Sequence, residues 1–141
     1  MNGLSAMFSE FHFLVVDDVP LMRQIAGNSL NALGYIKISE AGDGEQALKL
    51  LRPNNAVETS INFIITDWSM PVMDGISLLK TIRACPKLKH LPVLMMSSQA
   101  EEDSLAVARW AGIDGYISKP LNAKNLKAAL DDILTRKGLN P

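Results

Sequence analysis

Short, continuous apolar runs alternate along the chain with stretches whose apolar residues recur every three or four positions. Five runs stand out: Phe13-Leu14-Val15-Val16, Ile36-Lys37-Ile38, Phe63-Ile64-Ile65-Thr66, Val93-Leu94-Met95-Met96 and Tyr116-Ile117. Runs of this length, rich in β-branched residues, suit strands buried on both faces, as in a parallel sheet.

Helical patterns lie between and after them. Met22, Ile25, Ala26, Ser29, Leu30 and Leu33 fall on one helical face, with Pro20 near the start and Gly34 just past the end, both favoured places for those residues. Ala47, Leu48 and Leu51 mark a shorter helix, capped by Asp43 and stopped by Pro53. Leu78, Leu79 and Ile82 mark a third, ending before Pro86. Residues 100–111 predict a fourth, with Glu101, Glu102 and Asp103 in its first turn, where they complement the helix dipole. Leu126, Ala129, Leu130, Ile133 and Leu134 form the cleanest stripe, closed by Gly138. The order is (βα)5: an α/β chain with a doubly wound, five-stranded parallel sheet and helices on both faces.

The chain has 141 residues, enough for one domain with its own core. The reading is a loose leader at 1–10, a domain at 11–137 and a tail at 138–141. A start at Met1 and a stop soon after Gly138 favour a single-domain protein, expected as a monomer. Apolar residues make up 48%, charged residues 21%, and the net charge is −1. There is no basic cluster of the kind direct nucleic-acid binding needs. No apolar run reaches the roughly 20 residues that span a bilayer. Cys85 is the only cysteine, and the expected compartment is the cytoplasm. His12 and His90 show no partner spacing and read as surface residues.

The polar residues at the strand ends change the picture. Asp17 and Asp18 follow the first strand, Asp67 the third and Ser97 the fourth, while Ser118, Lys119 and Pro120 follow the fifth. Open α/β sheets bind ligands outside the carboxyl ends of their strands, so these residues should share one crevice. Two unit charges 4 Å apart repel by about 4 kcal/mol at an effective dielectric of about 20. Three carboxylates together therefore either protonate or take a cation. Oxygen ligands favour a hard cation such as Mg2+, with Mn2+ as a substitute. A carboxylate nucleophile, a cation, an amine and a hydroxyl fit phosphoryl transfer to aspartate. No Gly-rich nucleotide loop is present. Other readings stay open for single residues: Asp18 as a helix N-cap, Asp67 as a turn residue, Lys119 as a solvated lysine, Tyr116 as a plain strand aromatic.

Asp17-Asp18, Thr66-Asp67-Trp68-Ser69-Met70-Pro71 with Met73-Asp74-Gly75, Ser97, and Tyr116-Ile117-Ser118-Lys119-Pro120 together resemble the motif set of response-regulator receiver domains. Phe13-Leu14-Val15-Val16-Asp17-Asp18 and Leu78-Leu79-Lys80-Thr81-Ile82-Arg83-Ala84 resemble the single-domain chemotaxis receivers of the CheY kind. The resemblance implies the flavodoxin-like strand order 2-1-3-4-5 and a phosphoacceptor role for Asp67. It implies Mg2+ held by Asp18, Asp67 and the Ser69 backbone carbonyl, with Asp17 acting through water. Lys119 and Ser97 would contact the phosphoryl group, Lys119-Pro120 would be a cis peptide, and Ser97 with Tyr116 would form the switch. Ser69 and Gln99 would set the lifetime of the phosphorylated state.

The implied phosphodonor is a sensor histidine kinase or a histidine phosphotransfer protein. The implied output is a downstream protein met by the fourth helix, fifth strand and fifth helix, near Trp110 and Tyr116. Alternatives are a receiver belonging to a longer regulator, or a receiver that binds the flagellar motor. Against the latter, Glu101, Glu102 and Asp132 stand where motor-binding receivers carry lysines, and like charges oppose docking on an acidic peptide. An aspartate-based phosphatase is disfavoured by Asp17-Asp18-Val19-Pro20 in place of an Asp-x-Asp pattern. The protein is thus expected to catalyse only its own phosphorylation and dephosphorylation.

Overall fold

The structure, a computed structural model, describes residues 11–52, 60–98, 108–109 and 111–138. Five strands form it: β1 (His12–Val16), β2 (Lys37–Ala41), β3 (Phe63–Asp67), β4 (Val93–Ser97) and β5 (Gly115–Ser118). They make one parallel sheet in the order β2-β1-β3-β4-β5. The helices are α1 (Pro20–Ala32), α2 (Gly44–Leu51), α3 (Gly75–Ala84) and the C-terminal α4 (Ala123–Arg136). Most of the predicted helix at 100–111 lies outside the described residues; 108, 109 and 111 are helical. The leader expected at 1–10 also lies outside them.

Side-chain alternation along the strands divides the interior into two cores. Phe13, Val15, Phe63, Ile65, Leu94, Met96 and Ile117 meet α1 and α4 on one face. Leu14, Val16, Ile64, Val93 and Met95 meet α2 and α3 on the other. The strands β3 and β4 are buried at every residue, which is why they read as unbroken apolar runs. The edge strands look different. The run predicted at residues 36–38 is displaced: β2 begins at Lys37 and continues through Ser39 and Glu40 to Ala41, and Ile36 is left outside it and 73% exposed. An edge strand needs less apolar cover, so its polar half hid it from the pattern.

The caps follow the expected chemistry. The carboxylate of Asp43 accepts from Gln46 N at 2.9 Å, Asp74 from Ser77 N at 2.8 Å, and the Asn122 amide oxygen from Asn125 N at 2.8 Å. Gly34 leaves α1 with φ 100° and Gly138 follows α4 with φ 70°, a conformation that glycine adopts without strain.

His12, read from the sequence as a surface residue, is half-buried and bonded on both ring nitrogens. Its Nδ1 lies 2.6 Å from Ser60 Oγ and its Nε2 lies 2.7 Å from Ser39 Oγ, so the ring clamps β1 to β2 and to the lead-in of β3. Partial burial, with Lys37 nearby, pushes its pKa below the usual histidine range.

Candidate functional site

All the strand-end residues singled out in the sequence, where described, lie along the carboxyl edge of the sheet. Asp67 and Ser97 are the last residues of β3 and β4. Asp17 follows β1 and accepts Val19 N on Oδ1 at 2.9 Å, shaping the turn into α1. The helix cap itself is Val19, with no side-chain cap bond. Asp18 therefore does not cap α1; it is exposed and points its charge at the crevice with its neighbours.

Carboxylate oxygens of Asp17, Asp18 and Asp67 lie within 4.8 Å of one another. Against these three anions stands Lys119, whose Nζ is 2.9 Å from Asp67 Oδ1 and 3.1 Å from Asp17 Oδ2. Asp17 is fully buried and Asp67 only 5% exposed. Burial pushes the Asp67 carboxyl above its ordinary range, and the charge of Asp17 adds to this, while Lys119 and the Trp68 N–H pull the other way. Burial works to lower the Lys119 pKa, but its bonds and charges from Asp67 and Asp17 together hold the ammonium above its usual value. One amine cannot neutralise three carboxylates, and the all-oxygen set has the chemistry of a hard-cation site.

Asp67 is held in a fixed orientation. Its Oδ1 takes both the Lys119 ammonium and the Trp68 N–H, the latter at 2.8 Å. Among the described residues no hydrogen bond falls on Oδ2. Gly75 allows the N-terminus of α3 to sit against this strand end, because a Cβ there would lie 2.2 Å from the Asp67 carbonyl oxygen. Ser97 Oγ is buried and has no hydrogen-bond partner among the described residues. A buried orphan hydroxyl is costly. Placed beside a carboxylate cluster, it fits a ligand oxygen that completes the site.

Lys119 N donates to Ser97 O at 2.8 Å, locking β5's end to β4's, and the Lys119–Pro120 peptide is cis. Ser69 is exposed on the loop after Asp67. Tyr116 is 38% exposed. The register pairs Met95 with Tyr116 and Ser97 with Ser118, so Ser97 and Tyr116 share one face of the sheet. Gln99 and Trp110 lie outside the described residues.

Arg23 was not anticipated from the sequence. Its Nη1 donates to Asp17 O at 2.6 Å and its Nε to Glu40 at 2.9 Å, tying the acid loop to β2. A cation six residues beyond an acidic strand end, on the first turns of a helix, is the signal that was there to find. No described helix is long and apolar enough to cross a membrane.

This geometry has counterparts. "Chemotaxis protein CheY-3" of Vibrio cholerae is 46% identical over 123 residues, covering 87% of this chain and 91% of that protein. "Chemotaxis protein CheY" of Pseudomonas aeruginosa is 44% identical over 123 residues, covering 87% of this chain and 95% of that one. A crystal structure of chemotaxis protein CheY4 of Vibrio cholerae superposes with a TM-score of 0.76 at 29% identity, covering 88% of this chain and 98% of that one. The response regulator receiver domain family matches residues 13–131, a span that holds every described member of the acid crevice, so the chain belongs to that family as a CheY-like receiver.

Proposed function

We propose that this receiver accepts a phosphoryl group on Asp67 from a histidine-bearing donor, with Mg2+ or Mn2+ as cofactor. The observation that carries this reading is the buried, over-anionic crevice that also holds an orphan hydroxyl. Asp17, Asp18 and Asp67, with the Ser69 carbonyl, would hold the cation. Bound there, it offsets the negative charge of the carboxylates and of the incoming phosphoryl oxygens. Oδ2 of Asp67, the oxygen that Lys119 and the Trp68 N–H do not hold, is the attacking atom. An O–P bond forms as the donor's P–N bond breaks, and the imidazole leaves. Lys119 and Ser97 Oγ meet the phosphoryl oxygens. The protein catalyses its own phosphorylation and dephosphorylation and no other reaction, with Ser69 and Gln99 setting water access.

Output follows from the same hydroxyl. As Ser97 turns to the phosphoryl group, Tyr116 moves inward on the shared sheet face, a population shift between two packings. Beside Tyr116 lies a cleft of about 490 Å3 lined by Arg109, Asp114, Asp132 and Arg136, among others. This cleft is the docking place for a downstream protein. The names of the relatives favour chemotaxis; Asp132, the residue weighed against an acidic motor peptide, is paired with Arg136 at 3.0 Å on this face.

Intact-mass analysis with acetyl phosphate and Mg2+ tests the assignment. Wild type gains one acid-labile phosphoryl group and Asp67→Asn gains none; equal labelling of both removes Asp67 as the acceptor.

A further inference from the structure

The strand β2 is the last of the sheet on its side, and among the described residues no strand pairs with its outer edge. An open edge presents N–H and C=O groups that another strand can meet. Charge on the edge normally discourages this. Here Lys37 alone does so, because Glu40 is already matched by Arg23 at 2.9 Å. Beside the edge runs a groove of about 490 Å3 between α1 and β2. Gly27 and Asn31 line its helix wall, and Ile36, Ile38 and Glu40 line its strand wall.

Two residues of this groove have no reason inside the chain. Gly27 lies in the middle of α1, where glycine is destabilising relative to alanine. A Cβ built there would meet nothing within 4 Å, and its φ is not among the positive ones. Neither close packing nor backbone conformation therefore demands glycine. On the facing wall, Ile36 is 73% exposed. The helix wall leaves out a side chain where it could carry one, and the strand wall holds out an apolar one. Together they make room for, and offer contact to, something from outside.

We propose that the β2 edge and this groove form a two-fold interface with a second copy of this chain. The occupant follows from the strand's own sequence. Two antiparallel copies of one strand in a continuous sheet are related by an axis normal to the sheet, and residues directly opposite each other share a face. With Ile38 on the axis, Lys37 lies opposite the second copy's Ser39, and Ile36 lies opposite its Glu40. No like charges meet. Ile36 and Ile38 of both copies then form one apolar strip on the α1 side of the sheet, and the two α1 helices approach along the faces that carry Gly27. The net charge of each copy is only −1, so long-range repulsion between them is small. A seam of five strand residues and one helix face is small against the roughly 800 Å2 per partner of a standard interface. The pairing is therefore weak, and the chain passes from the monomer expected from its sequence to a dimer as its concentration rises.

Sedimentation velocity on the whole chain, from micromolar to millimolar concentration, tests this. Wild type should shift from monomer to dimer. Ile36→Asp puts a carboxylate opposite the second copy's Glu40, and Ile36→Lys puts a cation there. Like charges directly opposite each other weaken strand pairing, and this contact occurs twice in the seam, so Ile36→Lys should dimerise about tenfold more tightly than Ile36→Asp. Leu50→Asp and Leu50→Lys make the same changes of net charge on α2 and should not differ from each other. Gly27→Leu fills the groove where the monomer has room for a side chain. It should abolish the dimer and melt no lower than wild type. A wild type that stays monomeric throughout overturns the proposal and leaves the groove to a strand of another protein. A dimer that survives Gly27→Leu also overturns it, as do Ile36 variants that differ no more than the Leu50 pair.

Discussion

The two ends of the sheet use the same residue types to opposite effect. At the amino ends of β4 and β5, Asp114 is matched on every side. Its Oδ2 accepts from Arg83 Nη2 at 2.9 Å and from Val93 N at 2.7 Å, and its Oδ1 lies 3.1 Å from Lys137 Nζ. Arg83 also binds the carbonyls of Gly112, Lys89 and Leu91, and Arg136 donates to the Asp114 carbonyl. At the carboxyl ends, three carboxylates gather round one ammonium, which bonds two of them, and a buried serine hydroxyl has no partner among the described residues. The first arrangement is complete and holds four segments together. The second leaves excess negative charge and an unmatched hydroxyl among the described residues, the features that the proposed cation and phosphoryl group would match. An acidic side chain at a strand end is therefore uninformative until its partners are counted.

That contrast can be broken by substitution. Asp114→Ala leaves Val93 N and the Arg83 guanidinium without their carboxylate. It should cost roughly 2–3 kcal/mol, since the pair is mostly but not fully buried. Urea unfolding checks this, and phosphoramidate uptake by the folded variant should match wild type. A loss of uptake at full stability would join the two ends functionally and end the contrast.

Asp67→Asn should act in the other direction. The folded-state pKa of Asp67 is raised, so its contribution to stability is fully present below the unfolded carboxylate value and lost as pH rises through the folded value. Near neutral pH, without divalent cations, the asparagine variant should melt a few degrees above wild type. The gap should close as the pH falls below the ordinary carboxylate range. A gap that persists in acid would mean that charge is not its cause.

The fold was largely legible because β1, β3 and β4 are buried on both faces and their runs are unbroken. The edge strand β2 was half hidden by Ser39 and Glu40, which an edge tolerates. The acid crevice was legible because parallel strands deliver their ends to one side, bringing Asp17 and Lys119 together across 102 positions. The Arg83–Asp114 pair was not: it spans 31 positions between a helix end and a strand lead-in, and no periodicity links those places. The His12 clamp was missed for the same reason, since its partners Ser39 and Ser60 lie on other segments. The alternative reading of Asp18 as a helix cap falls away, because the turn bond belongs to Asp17.

The carboxyl edge gathers more negative charge than its ammonium matches, and the proposed Mg2+ would balance it, whereas Asp114 at the amino edge is matched by protein groups. The most direct measurement is the melting temperature near neutral pH as Mg2+ is added, for wild type, Asp18→Ala, Asp67→Asn and Asp114→Ala. Wild type should gain stability with rising Mg2+, as binding to the native state alone requires. Asp114→Ala should show the same gain from a lower start, while Asp18→Ala and Asp67→Asn should show little or none. Equal gains in all four proteins, or no gain in wild type, would contradict the claim.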